Sequence, residues 1–283
     1  MCNLIKRISA LLLCLLLVLS LPVTALAEEA KDTDEAAAAE EGTTLRILRQ
    51  KQFLDFAENC RLDSYSRNLS VVLLTDIDLT GVDFAGIPIF CGNFDGNGHT
   101  VSGLSITRDG SNMGLFRYVD ASAVIQNLTV SGEIIPDGSR SAVGGIAGHN
   151  AGKIQNCFFD GTVSGSDDVG GIAGITSREV TFTQCANTGH ISNDTTAVLS
   201  SGEKPKGGTG GILGVGKSGN VSISLCYNTG TVSGTTIVGG ILGGEAGDYG
   251  TSISNGNPSL TVENCYNAGL LDVGSRTNRI GSL

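Results

Sequence analysis

A pair of short patterns that return along the chain limits its fold more than any other feature. Val143-Gly144-Gly145-Ile146 recurs as Val169-Gly170-Gly171-Ile172, Thr209-Gly210-Gly211-Ile212 and Val238-Gly239-Gly240-Ile241. Between these lie Asn127-Leu128, Asn156-Cys157, Gln184-Cys185, Leu225-Cys226 and Asn264-Cys265. Each is followed by a glycine (Gly132, Gly161, Gly189, Gly230, Gly269) and, two residues on, by an aliphatic side chain: Ile134, Val163, Ile191, Val232 or Leu271. Cys157 and Cys185 stand 28 residues apart, whereas the next two intervals are 41 and 39 and each carries one polar insertion, Asn193 to Gly208 and Glu245 to Pro258. The underlying period is therefore about 25 to 29 residues, the signature of a solenoid.

Each repeat holds two short β-type runs and no amphipathic helix, which excludes the helix-containing solenoids. The fold class expected is all-β, a parallel β-helix over residues 71–283 whose coils stack at about 4.8 Å. Ile280-Gly281-Ser282-Leu283 matches the start of another Val-Gly-Gly-Ile strand, so the last repeat is incomplete. An open stack end offers unpaired backbone groups, from which we expect end-to-end self-association or continuation into a longer protein.

Ahead of the repeats the chain changes character three times. Residues 1–27 read as a signal peptide: Lys6 and Arg7, then an uncharged apolar run from Ile8 to Leu21, then Ala25-Leu26-Ala27 as a cleavage site. Leu11-Leu12-Leu13 lacks the small residue that a lipoprotein cleavage before Cys14 needs. Residues 28–44 are an acidic, Ala-rich spacer, and residues 45–70 form an N-terminal cap in which Phe53, Leu54, Phe56 and Ala57 make one apolar stripe on a short helix. No apolar run reaches the roughly 18 residues of a transmembrane helix. The expected location is secreted or extracellular, in association with a cell surface.

Several linked motifs occur in order: Asp76-Ile-Asp-Leu-Thr-Gly81, Phe94-Asp-Gly-Asn-Gly-His-Thr-Val-Ser-Gly-Leu104, Gly114-Leu-Phe116, and then the two repeated patterns. Together they resemble the GLUG-motif family of bacterial surface proteins over most of the chain beyond Leu45. The resemblance implies a right-handed β-helix of the pectin-lyase type on an exported bacterial protein. It also implies kinship with large adhesins and with the non-catalytic part of some immunoglobulin A peptidases.

Stacking turns each repeated position into a column. Leu128, Cys157, Cys185, Cys226 and Cys265 should face inward beside Ile125, Ile154, Phe182, Ile223 and Val262, with the cysteines as small buried fillers. Neighbouring coils lie close enough for disulfides, which parallel side-chain directions oppose. Asn187, Asn228 and Asn267 form a second column able to hydrogen-bond along the stack. The glycines of the Val-Gly-Gly-Ile repeats (Gly144, Gly145, Gly170, Gly171, Gly210, Gly211, Gly239, Gly240) should turn the backbone where a Cβ would strike the next coil or where φ must be positive. Phe158, Ala186, Tyr227 and Tyr266, one residue past the Leu/Cys column, should face outward, and the aromatic members Phe158, Tyr227 and Tyr266 are the candidate ligand-binding column.

Groups that could carry chemistry are few. His99, His149 and His190 lack metal-ligand spacing and read as turn or surface residues. Asp76 and Asp78 resemble a calcium loop, but its twelfth position is Ile87 instead of glutamate, so turn formation is the better reading. Asp167-Asp168 resembles the carboxylates of β-helical glycosidases, yet no basic cluster accompanies the pair and His149 precedes it. No catalytic residue, cofactor or metal is expected. The whole chain has net charge −10, and loss of Lys6 and Arg7 with the signal leaves −12, which argues against a nucleic-acid partner. The function expected is a non-catalytic adhesion, binding or spacer module whose partner is a host or cell-wall glycan or protein. The alternative is a carbohydrate-active enzyme, a polysaccharide lyase or glycosidase, on the same scaffold.

Overall fold

The computed structural model describes residues 43–138, 140–193, 207–235, 237–245, 259–273 and 279–281. Residues 1–27, read above as a signal peptide, nearly all of 28–44, read as a spacer, and most of both insertions lie outside the described residues. All named strand pairs are parallel and fall into three sheets.

The first sheet runs through Thr44–Ile47, Ser70–Leu73, Asn93–Asp95, Val124–Ile134, Lys153–Gly165, Val180–Thr183, Val221–Ser224 and Leu260–Glu263. The second contains Ile87–Phe90, Phe116–Val119, Ala147–Asn150, Ala173–Thr176, Leu213–Gly216 and Leu242–Glu245. The third contains Ser141–Gly144, Asp167–Gly170, Gly208–Gly210, Ile237–Gly239 and Arg279–Gly281. One circuit visits the first, third and second sheets in turn, and each strand pairs with its counterpart in the next coil. This is a parallel β-helix. Its register follows the repeat: Ile125 pairs with Ile154, Ile154 with Phe182, Phe182 with Ile223 and Ile223 with Val262.

The helix is shorter than the helical reading of the cap from Leu45 onward. Thr44–Ile47 is a strand paired with Ser70–Leu73, and only Gln50–Asn59 is helical. Thr44-Leu-Arg-Ile alternates in burial with period two, and pairing with the first β-helical strand wins over the helical spacing that follows. Phe53, Phe56 and Ala57 of the helix are buried, while Leu54 is only partly so. Their rings join a chain of aromatic contacts: Phe53 to Phe84 at 5.8 Å, Phe56 to Phe90 at 6.0 Å, and Phe94 to Phe116 at 5.3 Å between centroids. The first coils are thus filled by phenylalanine under a helical lid.

Farther along, the backbone itself sets the shape. The eight glycines of the Val-Gly-Gly-Ile repeats lie outside the positive-φ set, which corrects one of the two expected reasons for them. Steric room is the reason that stands. A Cβ on Gly171 would lie 2.1 Å from the Gly211 carbonyl oxygen and 2.7 Å from the Asn187 side chain. One on Gly170 would lie 2.0 Å from the Ala173 oxygen and 2.6 Å from the Gly214 nitrogen, so the third and second sheets meet there backbone to backbone.

Positive φ falls elsewhere, on residues the sequence did not flag for it. Asn127, Asn156, Gln184, Leu225 and Asn264 all have φ between 49° and 56°, and each directly precedes the Leu/Cys column. A left-handed residue bends the strand, and asparagine bears that conformation at least cost among residues with a side chain.

Candidate functional site

The interior columns are built as their spacing predicts and consume most of the polar groups in the coils. Cys157, Cys185 and Cys226 are buried and Cys265 is half-buried; all four are free thiols. Each thiol lies near the carbonyl two residues before it, with Sγ to O distances of 3.3 Å for Cys157, 3.4 Å for Cys185, 3.2 Å for Cys226 and 3.3 Å for Cys265. The left-handed kink intervenes between that carbonyl and the cysteine, so the S–H serves as a weak donor at the bend as well as a filler. Along the stack the Cys185 N–H donates to Cys226 Sγ (3.3 Å) and the Cys226 N–H to Cys265 Sγ (3.4 Å). Burial pushes the Cys157 thiol up to about 12, which makes it a poor nucleophile.

The asparagines form two ladders. Asn187 Nδ2 donates to Asn228 Oδ1 and Asn228 Nδ2 to Asn267 Oδ1, both at 2.7 Å. Asn187 and Asn228 are fully buried, and the Asn187 amide also closes its own turn by accepting from the Gly189 N–H at 3.2 Å. The second ladder lies on the left-handed residues, where Asn156 Nδ2 donates to Asn127 Oδ1 (2.8 Å) and Asn127 Nδ2 to Asp95 Oδ1 (3.0 Å). Sequence reasoning missed this one, although Asn127 and Asn156 stood at equivalent repeat positions.

Aspartates in the first coils act as turn formers. Asp76 Oδ1 accepts from the Thr100 N–H (2.9 Å) and lies 3.0 Å from His99 Nδ1, and Asp78 Oδ1 accepts from the Thr80 N–H at 2.9 Å. The Thr100 N–H and then His99 hold the Asp76 carboxyl, and the Thr80 hydroxyl and then its N–H the Asp78 carboxyl, below the usual carboxylate range.

Asp167 and Asp168 occupy a different setting. Asp168 is 2% exposed, in a left-handed conformation (φ 56°), with Lys217 Nζ 2.7 Å from its Oδ2. A Cβ added to Gly207 would lie 1.8 Å from Asp167 Oδ1 and 2.6 Å from Asp168 Oδ1, so the two carboxyls converge over that glycine. Burial, and then the neighbouring Asp168 charge, raise Asp167 to about 6. Burial also raises Asp168, against the pull of Lys217. A carboxyl as enclosed as Asp168 is closed to a glycosidic oxygen, so the pair does not present two accessible carboxylates across a cleft. His149 is half-buried and not the surface residue expected: its ring lies 4.6 Å from that of Tyr118, and Nε2 is 2.7 Å from Ser177 Oγ. Burial and Lys217 hold its pKa below the ordinary value.

Phe158, Ala186, Tyr227 and Tyr266 pair in register across four successive coils. Ala186 is fully buried, contrary to its expected outward exposure, and it interrupts the aromatic run between the half-buried Phe158 and Tyr227. What remains is a pair: Tyr227 and Tyr266, with ring centroids 5.3 Å apart and planes 6° from parallel. Tyr266 is 54% exposed. These stacked rings are the aromatic surface feature of the last coils and the candidate binding site.

Comparison with known proteins defines the class that this architecture represents. A family model described as the GLUG motif matches residues 139–164, a stretch that contains Val143-Gly144-Gly145-Ile146 and Asn156-Cys157. The chain thus carries a GLUG motif on a parallel β-helix. Halomucin of Haloquadratum walsbyi is 32% identical over 148 residues, which is 48% of this chain and 2% of the relative. A Gly-rich membrane protein of Evansella cellulosilytica is 34% identical over 96 residues, 30% of this chain and 11% of the relative. The chain therefore spans a small fraction of the curated relatives it matches. Among solved structures, a protein described as an immunoglobulin A1 protease from Bacteroides ovatus superposes with a TM-score of 0.63 at 20% identity, over 87% of this chain and 86% of the other. That likeness establishes the shared fold.

Proposed function

We propose that the chain is an exported, surface-associated repeat module that acts without catalysis, as a binding element or as a spacer. One observation carries the reading: the thiols, amides and turn carboxylates of the coils hydrogen-bond along the stack and build the scaffold, while stacked tyrosines stand on its outside. The Gly-rich membrane protein among the relatives supports a surface location, and the signal-like N-terminus supports export. A host or cell-wall glycan or protein is the partner class in view. The test is retention of the secreted protein on glycan, mucin and cell-wall arrays together with assay of released products. Retention without turnover is the expected outcome; product release from any polysaccharide would overturn the non-catalytic reading.

The second reading, a carbohydrate-active enzyme, draws on Asp167, whose carboxyl titrates near 6 and could serve as a general acid. Under that reading Asp167→Asn abolishes product release while leaving the fold intact. Under the first there is no product to abolish.

A further inference from the structure

The tyrosine pair, the exposed leucines and the charge around them bear on the kind of partner, on the reading just given that the module binds one. Two rings lying flat and side by side on the sheet would overlap at a centroid distance of 5.3 Å, so Tyr227 and Tyr266 stack face to face. Each ring therefore spends one π-face on the other. At the next place in the same column stands Ala186, fully buried beneath the coil of Tyr227. The pair is thus one short, exposed aromatic platform, with Tyr266 54% exposed.

Exposed leucines flank the pair in sequence. Leu225 is 52% exposed two residues before Tyr227, and Leu270 is 65% exposed four residues after Tyr266. Leu225 belongs to a coil with a neighbour on each side, since Val221–Ser224 pairs with both Val180–Thr183 and Leu260–Glu263. Its exposure is thus a property of the surface and not of a stack end.

The charge around this strip has one sign. Between Lys217 and Arg276 the sequence contains no Lys, Arg or His, while it contains Glu245, Asp248, Glu263 and Asp272. Glu263 and Asp272 are exposed, on the strands that precede and follow Tyr266 in the same coil. We infer that the outer face formed by residues 221–233 and 260–273 docks a positively charged polypeptide segment that also carries apolar side chains. Leucines and tyrosine rings take its apolar side chains, and Glu263 and Asp272 meet its cations. Complementary charge of this kind governs the choice of partner and its encounter rate more than raw affinity.

The probe is a synthetic Lys/Leu peptide, titrated by fluorescence polarisation against the full secreted protein. A Glu/Leu peptide of equal length and soluble mucin and xylan glycans serve as competitors. The Lys/Leu peptide is expected to bind at least about tenfold more tightly than the Glu/Leu peptide, with affinity falling as salt screens the carboxylates. Tyr266→Ser and Glu263→Lys, both at exposed positions, should each weaken it about tenfold, and Tyr266→Phe should retain it. Circular dichroism and melting checks that the variants keep the wild-type fold. Equal affinity for both peptides, or indifference to Tyr266→Ser and Glu263→Lys, overturns the inference. Capture of a glycan that depends on Tyr266, with no peptide binding, overturns the partner class and leaves the binding reading standing. If neither probe is held, both fall and the spacer role is what remains.

Discussion

The two ends of the β-helix reach a closed core by different means. In the first coils Phe53, Phe56, Phe90, Phe94 and Phe116 fill the interior with fully buried rings beneath the helix Gln50–Asn59. In the later coils the same circuit is closed by glycine against backbone, by thiols at the bends and by an amide ladder at Asn187, Asn228 and Asn267. The difference explains where the repeat is strict. A phenylalanine core tolerates exchange among large apolar residues if volume is kept. A backbone-to-backbone contact admits only glycine, so the pattern is sharpest where side chains are smallest.

Mutations can break this contrast. The largest effect is expected from Gly171→Val, which drives a branched side chain into the Gly211 carbonyl and the buried Asn187. Its expected cost is about 4 kcal/mol or more, read as loss of the cooperative melt or a steep fall in denaturation midpoint. An unchanged midpoint would show that the coils can separate at this corner. Next is Phe94→Ala, which leaves a cavity between Phe56, Phe90 and Phe116 and should cost about 3 to 4 kcal/mol by urea denaturation. If the halves are held as differently as their cores suggest, hydrogen exchange in Phe94→Ala should rise first in residues 44–134, and in destabilised Gly171 variants first in residues 141–216.

The carboxyl pair sharpens the comparison in the middle coils. Asp167 is raised to about 6 in the folded chain, so the fold binds more protons than the unfolded chain between the ordinary value of 3.8 and about 6. Its contribution is full in acid below that window and is lost as pH rises through about 6. Asp76, Asp78 and Asp83 are shifted downward and act in the opposite sense in acid, so the measurement is a difference between proteins. Asp167→Asn should gain about 1 to 2 kcal/mol over wild type at pH 7.5, after allowance for solvent screening, with the gap closing toward pH 4. A gap that does not change with pH would remove the carboxyl as its cause. The smallest effect is a gain. Leu225→Asn places the residue best suited to left-handed φ where its counterparts are Asn127, Asn156 and Asn264, and should stabilise by about 1 kcal/mol in thermal melts.

Much of this architecture was legible in the repeats. Leu128 pairs with Cys157 as the spacing required, the Asn column hydrogen-bonds, and Phe158, Ala186, Tyr227 and Tyr266 lie in register. The parts that were not legible depend on quantities a repeat does not encode. Period reports which residues are equivalent, but not the sign of φ. The left-handed position therefore went unassigned before Cys157 and was credited instead to Gly144 and its counterparts. The strand Thr44–Ile47 was hidden because its pairing partner lies beyond the helix. The enclosure of Asp168 depends on Gly207 and Lys217, residues bordering later strands that sequence order sets far from it. Ala186 was expected outside by alternation, and its burial follows from what covers it, which alternation does not describe.

The glycine corner also decides where such a chain can grow. Between the third and second sheets the connection is two residues in four successive coils: 145–146, 171–172, 211–212 and 240–241. The other two corners vary freely. Asn193 and Gly208 are joined by a long segment where Gly165 and Asp167 are joined by Ser166 alone, and Glu245 is followed by an equally long one before Leu260 where Asn150 and Lys153 need two residues. A protein engineer grafting an epitope, or a lineage acquiring a new loop, has two admissible corners per coil. The third is a seam with no slack, so added segments are confined to the other two corners.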